Sequence, residues 1–510
     1  MQLTDYLDKG ASLGGDSLCL TTNGESLTYA EAQRMSWRIA GALQGSGIGR
    51  GDRVAVLSAN DPLALTCVFG ISRAGAVWCP INPRNEAAEN RQLLDLFGCR
   101  LLFFQEKFAP LVHRIRGELP NLTTWVCLDG AVEGATTFTE WLERSHREPD
   151  EVSPADDELC VLAGTGGTTG KPKGVRLTGH NLETATALTL MSYPFGDRPR
   201  YLAFAPLTHS AGVLTFPIMT LGGETVIMPK PDLGEFLRLV ERHRITHAFL
   251  PPTVIYGLLD HPDLDSTNLE SLRCLWYGAA PMSATRLEEA LTRIGPVLGQ
   301  LFGHRGTQHD LDPRARRPLP RGRNHCRGTA FVRGAADAAH PGSGDGRGGH
   351  PASPGERGEI VVRGPLVMAG YHENPEATAE VGKHGWHHTS DIGYLDEQNY
   401  LYIVDRAKDV IITGGFNVYS AEVEQALLAH PAAQDSAVIG LPDAKWGERV
   451  AAVVQLRPAQ RAGEDELIAF VKDRLGSVKA PKQIEIWPDL PRSKIGKVLK
   501  PEVRAKLAGG

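Results

Sequence analysis

The run V-L-A-G-T-G-G-T-T-G-K-P-K-G-V, from Val161 to Val175, sets an apolar strand directly ahead of a loop of glycine, threonine and lysine. Gly164, Gly166, Gly167 and Gly170 open backbone conformations barred to other residues, so successive N–H groups can converge on an anion. Thr165, Thr168 and Thr169 add hydroxyl donors, while Lys171 and Lys173 add positive charge. Such a loop suits phosphate. The nucleoside-triphosphatase loop does not fit, because it needs glycine five residues before Gly170, where Thr165 stands. Pro172 also keeps Lys171 out of helical geometry and supplies no hydroxyl for magnesium. A flexible linker would not follow a hydrophobic strand and end in Lys-Pro-Lys-Gly-Val.

From Thr165 to Val175 the sequence closely resembles the signature of the acyl-adenylate-forming superfamily, which includes acyl-CoA synthetases, adenylation domains of peptide synthetases and luciferases. The resemblance implies an α/β fold with a large N-terminal domain of layered α/β subdomains, residues 1–405. A small mobile α+β C-terminal domain, residues 406–510, would rotate between two half-reactions. It also implies ATP, Mg2+ and coenzyme A as cofactors and a carboxylic acid as substrate.

Composition agrees with a soluble α/β enzyme. At 510 residues the chain exceeds one compact core, and 42% apolar, 22% charged residues and 56 glycines suit a loop-rich protein of two or more domains. A net charge of −6 argues against a general nucleic-acid binder. The eight cysteines include no C-x-x-C pair, so neither a disulfide framework nor a zinc ribbon is expected, and a reducing cytoplasm fits. The start M-Q-L-T-D-Y-L-D-K-G lacks the apolar core of a signal peptide, and no run approaches the ~20 apolar residues of a membrane span. Peripheral membrane contact stays open.

In the N-terminal half, Thr28 precedes a helical run with Glu31 three residues on, a capping-box arrangement. Arg53 to Ser58 and Ala74 to Pro80 read as strands separated by a helix, which points to a layered α/β domain. Downstream comes Ala205-Pro206-Leu207-Thr208-His209-Ser210-Ala211-Gly212. A histidine in an apolar run is more often structural, but the family carries P-L-x-H-x-x-G here with the histidine beside the acyl pocket. The resemblance therefore makes His209 a candidate for lining that site, with Ala211, Val213 and Leu214 leaving room for an apolar acyl group. Gly278, Ala279, Ala280 and Pro281 match the family segment that lies along adenine.

The resemblance then breaks. Leu301-Phe302-Gly303 should lead into Thr-Glu, where the family's threonine meets the phosphates and its glutamate holds magnesium. Instead, residues 304–350 hold nine arginines and nine glycines, no Lys, Glu, Ile, Met, Tyr or Trp, and neither helical nor strand periodicity. A basic disordered insertion is one reading. A metal site from His304, His309, His325, Cys326, His340 and His350 matches no ligand spacing, and the G-x-G-x-x-G at Gly344 to Gly349 lacks a preceding strand. The reading preferred is a shifted frame. Codons allowed for His304, Arg305 and Gly306, read one base later, permit Thr-Glu directly after Phe302-Gly303. Over Thr329 to Asp337 the same shift permits Arg-Leu-Ser-Ser-Ala-Gly-Arg-Pro, which ends in the family's S-x-G-R-P. As written, Thr307-Gln308 is displaced and offers magnesium no carboxylate, so impaired activity is expected.

Agreement resumes from Glu359. By resemblance, Asp391 in His388-Thr389-Ser390-Asp391 holds the ribose hydroxyls, Arg406 reaches ribose or phosphate, and Lys408 sits at the hinge between domains. Gly414 and Gly415 approach the pantetheine thiol after rotation. His387 and His388 are expected on the surface. The segment Pro491-Arg492-Ser493-Lys494-Ile495-Gly496-Lys497-Val498-Leu499-Lys500 matches the mobile lysine loop, with Lys497 contacting the carboxylate and α-phosphate. Two departures are small: Ser420 stands where proline is common, altering how its helix begins, and Lys500 replaces the usual arginine. The implied activity is a carboxylic acid–CoA ligase forming acyl-AMP and then acyl-CoA; the alternatives are an adenylating enzyme that loads a carrier protein and a member impaired because the Thr-Glu magnesium motif is missing. A fatty acid is favoured, with an aromatic acid still open.

Overall fold

The computed structural model describes the chain except residues 145–148, 151, 153–157, 166–171, 209, 281, 305–306, 313–325, 329–335, 338–351, 399, 493–497 and 509–510, with backbone alone at 210–211, 304, 307–312, 326–328 and 336–337. The contacts divide it into two units. One comprises Met1–Tyr277, Val297–Pro313 and Gly364–Glu380, the other Gly278–Pro296, Arg314–Arg363 and Val381–Gly510.

The first unit contains a seven-stranded sheet. Its order is Thr136–Thr137, Thr124–Cys127, Leu101–Phe104, Arg53–Leu57, Val77–Ile81, Leu159–Gly164 and Gly174–Thr178. All neighbours run parallel except the last pair. Parallel strands are covered by helices on both faces, so their sequences read as unbroken apolar runs. Val54, Ala55, Val56 and Leu57 are accordingly all buried, as are Leu101 to Phe104. The capping box at Tyr29–Gly45 forms as expected: Glu31 N–H donates to Thr28 Oγ1 at 3.2 Å, and Thr28 N–H donates to Glu31 Oε2 at 2.8 Å. A second set of parallel strands includes Cys274–Gly278, His247–Leu250, Arg200–Ala203, Glu224–Ile227 and Leu18–Thr22.

Buried among these strands is His247. Its Nδ1 lies 2.7 Å from Thr246 Oγ1 and its Nε2 3.1 Å from the Pro194 carbonyl, while Phe195 stacks on the ring at 4.6 Å. Burial pushes its pKa down from 6.5 to about 4. In the second unit His387 is pushed down to about 4 by burial and then by His388. The unfolded chain takes up these protons first as pH falls, so stability holds above about 6.5 and declines toward 4. Each shift is worth about 3 kcal/mol by pH 4. Urea unfolding of the wild type and His247→Gln between pH 4 and 7 should show a shallower pH slope in the variant.

The second unit carries an antiparallel sheet in the order Ala336–Asp337, Gly358–Val362, His387–Leu395, Tyr400–Arg406 and Cys326–Gly328. Two findings correct the sequence reading. Short strands occur at Thr307–Asp312, Cys326–Gly328 and Ala336–Asp337, within the stretch that lacks strand periodicity, because backbone pairing to a neighbouring strand needs no alternating side chains. His387 is buried rather than at the surface, and His388 is half-buried with Nδ1 2.8 Å from Glu359 Oε2.

The C-terminal part of this unit is a compact α+β body. Phe416–Val418, Ile411–Thr413, Gly447–Leu456 and Ala433–Asp443 form an antiparallel sheet, to which Gln483–Ile486 adds in parallel. Helices Ser420–Leu428 and Glu464–Leu475 bury Val423, Leu427, Leu467 and Val471 against one side. Val503 and Leu507 of helix Lys500–Ala508 join Ile439, Leu441 and Val453 in a separate cluster. Among the described residues, no helix is long and apolar enough to cross a membrane.

Candidate active site

The glycine-rich loop is held by a tight stem. Leu159–Gly164 pairs antiparallel with Gly174–Thr178, with Gly164 opposite Gly174. Thr165 N–H donates to the Lys173 carbonyl at 2.8 Å, and Lys173 N–H donates back to Thr165 Oγ1 at 3.2 Å. The two ends of the loop are therefore fixed side by side. A Cβ on Gly164 would lie 2.6 Å from Leu93 Cδ2, so glycine there also lets the stem pack against helix Ala87–Phe97. That packing reason was not visible in the motif.

A second segment braces the same stem. Ala369 N–H donates to the Arg176 carbonyl at 2.9 Å, Arg176 N–H to the Gly370 carbonyl at 3.0 Å, and His372 N–H to the Gly174 carbonyl at 2.7 Å. Lys173 Nζ sits 5.0 Å from the centre of the Tyr371 ring, a cation–π contact that places the ammonium at the mouth of the stem. Burial and then Glu380 push the Tyr371 phenol up, so it stays neutral there. Neither Tyr371 nor its segment stood out in the sequence as part of the loop. Gly166, Gly167, Thr168, Thr169, Gly170 and Lys171 lie outside the described residues.

His209 also lies outside them, but the turn leading to it is described. Asn60 Nδ2–H donates to the carbonyls of Ala203 at 3.2 Å and Ala205 at 3.0 Å, while Asn60 Oδ1 accepts from Leu207 N–H at 2.8 Å. One buried amide thus fixes the turn, a role that sequence reading missed because asparagine in a loop is ordinary. Beside it is a small, mainly apolar cavity lined by Val56, Leu65, Val68, Trp78, Leu207 and Thr208.

In the second unit, Gly278 ends a buried strand and Ala279 follows with φ +70°, a left-handed conformation that costs a residue with a Cβ. Ala280 is half-buried, and Pro281 is outside the described residues. The sheet register brings two other candidates together: Asp391 lies opposite Arg406, whose Nε is 3.4 Å from Asp391 Oδ1. Ser390 just before it holds φ +60°, with its N–H donating to Glu359 Oε1 at 2.9 Å. Glu359 is therefore a buttress for the aspartate's turn, another residue the motif did not mark.

Lys408 is exposed within the one-turn helix Ala407–Asp409. Gly414 and Gly415 form a turn at φ +57° and +81°, and a Cβ on Gly414 would stand 2.6 Å from Trp446 Cε3. Glycine is needed at 414 for both conformation and space. Lys497 lies outside the described residues, but Arg492 and Val498 on either side form an antiparallel bridge. Among the described residues, no group of three or more His, Cys, Asp or Glu side chains could hold a metal ion. The expected Thr-Glu is absent after Gly303, so the residues present do not fit the family's magnesium site and no step is routed through the metal.

Comparison with known proteins agrees with these motifs. The AMP-binding enzyme family matches residues 7–372, and the AMP-binding enzyme C-terminal domain matches residues 422–497. A medium/long-chain-fatty-acid–CoA ligase of Mycobacterium tuberculosis is 36% identical, spanning 94% of this chain and 85% of that protein. A feruloyl-CoA synthase of an Amycolatopsis species is 36% identical over 95% of this chain and 94% of its own. The crystal structure of ATP-bound MatB from Rhodopseudomonas palustris superposes with a TM-score of 0.87, at 27% identity and 99% coverage of both chains. With the loop stem, the Asp391–Arg406 pair and both family regions present, the chain belongs to the AMP-binding enzyme family, whose adenylate-forming fold it shares.

Proposed function

We propose that this chain is an ATP-dependent, AMP-forming ligase that joins an apolar carboxylic acid, a fatty acid before an aromatic one, to coenzyme A. In the first step a carboxylate oxygen attacks the α-phosphorus of ATP, the bond to the bridging oxygen breaks, and pyrophosphate leaves with its electron pair. In the second, the thiolate of CoA attacks the acyl carbon of acyl-AMP and AMP leaves. The thiol's proton passes to solvent.

Within this reading, the loop from Gly164 to Lys173 cradles phosphate and Lys497 neutralises charge that grows as the carboxylate attacks. Gly278, Ala279, Ala280 and Pro281 lie along adenine, Asp391 accepts from the ribose hydroxyls, and Arg406 reaches ribose or phosphate. His209 lines the acyl site. The chain divides into 1–405 and 406–510, with Lys408 at the hinge and Gly414-Gly415 near the pantetheine thiol in the second step. Magnesium accompanies ATP.

The observation that carries the reading is the closed stem, in which Thr165 and Lys173 bond each other across the phosphate loop. The test is exchange of labelled pyrophosphate into ATP with a panel of acids, followed by thioester formation with free CoA. Exchange that depends on a medium- or long-chain acid and thioester on free CoA are expected. Exchange with no acid in the panel would overturn the substrate class.

A second acceptor is favoured by one feature. Around Gly414-Gly415, Ile412, Phe416 and Trp446 are exposed, and an apolar surface of this kind suits phosphopantetheine presented by a carrier protein. Transfer to a carrier protein at least as fast as transfer to free CoA would favour that acceptor.

A further inference from the structure

The two small departures from the family pattern, Ser420 and Lys500, touch each other. Lys500 Nζ donates to Ser420 Oγ at 2.6 Å and lies 2.8 Å from Glu424 Oε1. Ser420 Oγ–H in turn donates to Asp405 Oδ2 at 2.8 Å. Asp405 Oδ2 also accepts from Ala421 N–H at 3.2 Å, and Asp405 Oδ1 accepts from Arg406 N–H at 2.8 Å. Glu424 Oε1 further accepts from Val438 N–H at 2.8 Å. Ser420 is fully buried and Asp405 is 7% exposed, so the line of donors runs from a half-buried ammonium inward to a buried hydroxyl and carboxylate. Proline at 420 would remove its middle link, and the effect of Ser420 is therefore not confined to how its helix begins.

The network joins two places that the chemistry needs. At one end, Asp405 immediately precedes Arg406, which pairs with Asp391. At the other, Lys500 opens the helix Lys500–Ala508 three residues after Lys497. The two ends of the intervening segment are tied together: Arg492 faces Val498, and Leu499 N–H donates to the Pro491 carbonyl at 2.8 Å. Arg492 is itself ion-paired with Asp435, so one foot of the segment is anchored on the strand Ala433–Asp443 and the other on the helix Ser420–Leu428. Burial alone would lower the Lys500 pKa, but Glu424 and Asp405 outweigh it and hold the ammonium charged.

We propose that Lys500 is a positioning residue, which during adenylation fixes the foot of the lysine segment, through Ser420 and Asp405, to the end of the strand that carries Arg406, the Asp405–Ser420 link crossing the hinge at Lys408 and parting when the C-terminal domain turns. This rests on the adenylating role given to Lys497. Lys500 does not touch substrate; it sets where Lys497 starts. Misplacement of a catalytic group by about 1 Å can cost about 10²-fold in rate. The hydroxyl of Ser420 matters because an ammonium in this place needs a second acceptor beside Glu424.

The test compares Lys500→Met, Ser420→Ala, their combination, and Lys500→Met with Glu424→Gln, which removes the half-buried carboxylate's unmet charge and guards against misfolding. Acid-dependent pyrophosphate exchange should fall about 10²-fold in kcat for Lys500→Met with little change in KM for ATP. Thioester formation from supplied acyl-AMP should stay within about threefold, since that step does not use Lys497. Because both residues act in one network, the combination should be no slower than Lys500→Met alone. Equal loss in both half-reactions, or strictly additive losses, would overturn the proposal.

A second arm is independent of activity. Trypsin cleaves after Lys494 and Lys497, and releasing the foot should speed cleavage there about tenfold, in Lys500→Met and in Lys500→Met/Glu424→Gln alike. Unchanged cleavage in both would also overturn it. If the wild type shows no exchange while cleavage accelerates, the anchoring stands and the ligase reading fails.

Discussion

Replacing Lys497 with alanine should lower acid-dependent adenylation by about 10²–10³-fold, the cost typical of removing one group that stabilises charge developing in a transition state. The incoming carboxylate and the α-phosphate are both anionic, and their approach concentrates charge that a flexible ammonium can meet. Lys497 follows Gly496 in a segment whose ends are clamped by Arg492, Val498 and Lys500. Thioester formation from synthetic acyl-AMP needs no such neutralisation, because phosphorus is not attacked in that step. The split between half-reactions is therefore the diagnostic result, measured by pyrophosphate exchange and by thioester yield from acyl-AMP. Equal loss in both would point to a folding defect or to a different role for this lysine.

Restoring the shifted reading of residues 304–350 should have an effect of similar size in the opposite direction. In the chain as written, Gly303 is followed by His304 and Arg305, so a cation stands where the family has a carboxylate. The one-base shift permits Thr-Glu there and Ser-Ala-Gly-Arg-Pro further on. A gene carrying that reading should exchange pyrophosphate about 10²-fold faster than the chain as written, since it regains a threonine donor to the phosphates and a carboxylate that would hold the magnesium neutralising them. Sequencing the coding DNA is the parallel check. Codons at 304–306 that cannot yield Thr-Glu in the shifted frame would remove the explanation, and equal activity of the two chains would remove the predicted impairment.

Much of the fold was legible because parallel strands buried on both faces leave continuous apolar runs, as at Val54 to Leu57, and because Thr28 and Glu31 announce a helix start. The long motifs likewise marked Asp391 and Arg406, which the sheet register sets face to face. What remained hidden depends on contacts between distant positions. Asn60 braces the turn before His209, Tyr371 meets Lys173, and Glu359 holds the Ser390 turn, yet none carries a local pattern. Ser420 and Lys500 looked like two unrelated departures until the fold placed them 2.6 Å apart. His387 read as a surface residue because a His-His pair is polar, whereas strand pairing with Val362 turns it inward.

The central claim is that the glycine-rich loop and the distant Lys497 act on one nucleotide. A crystal structure of the chain with a non-hydrolysable acyl-sulfamoyl adenosine tests it most directly. The expected result places backbone N–H groups between Gly166 and Gly170 and the Lys497 ammonium within about 3 Å of the sulfamoyl or carbonyl oxygens, with Asp391 on the ribose. An analogue bound away from that loop, or bound there with Lys497 beyond reach, would contradict the account.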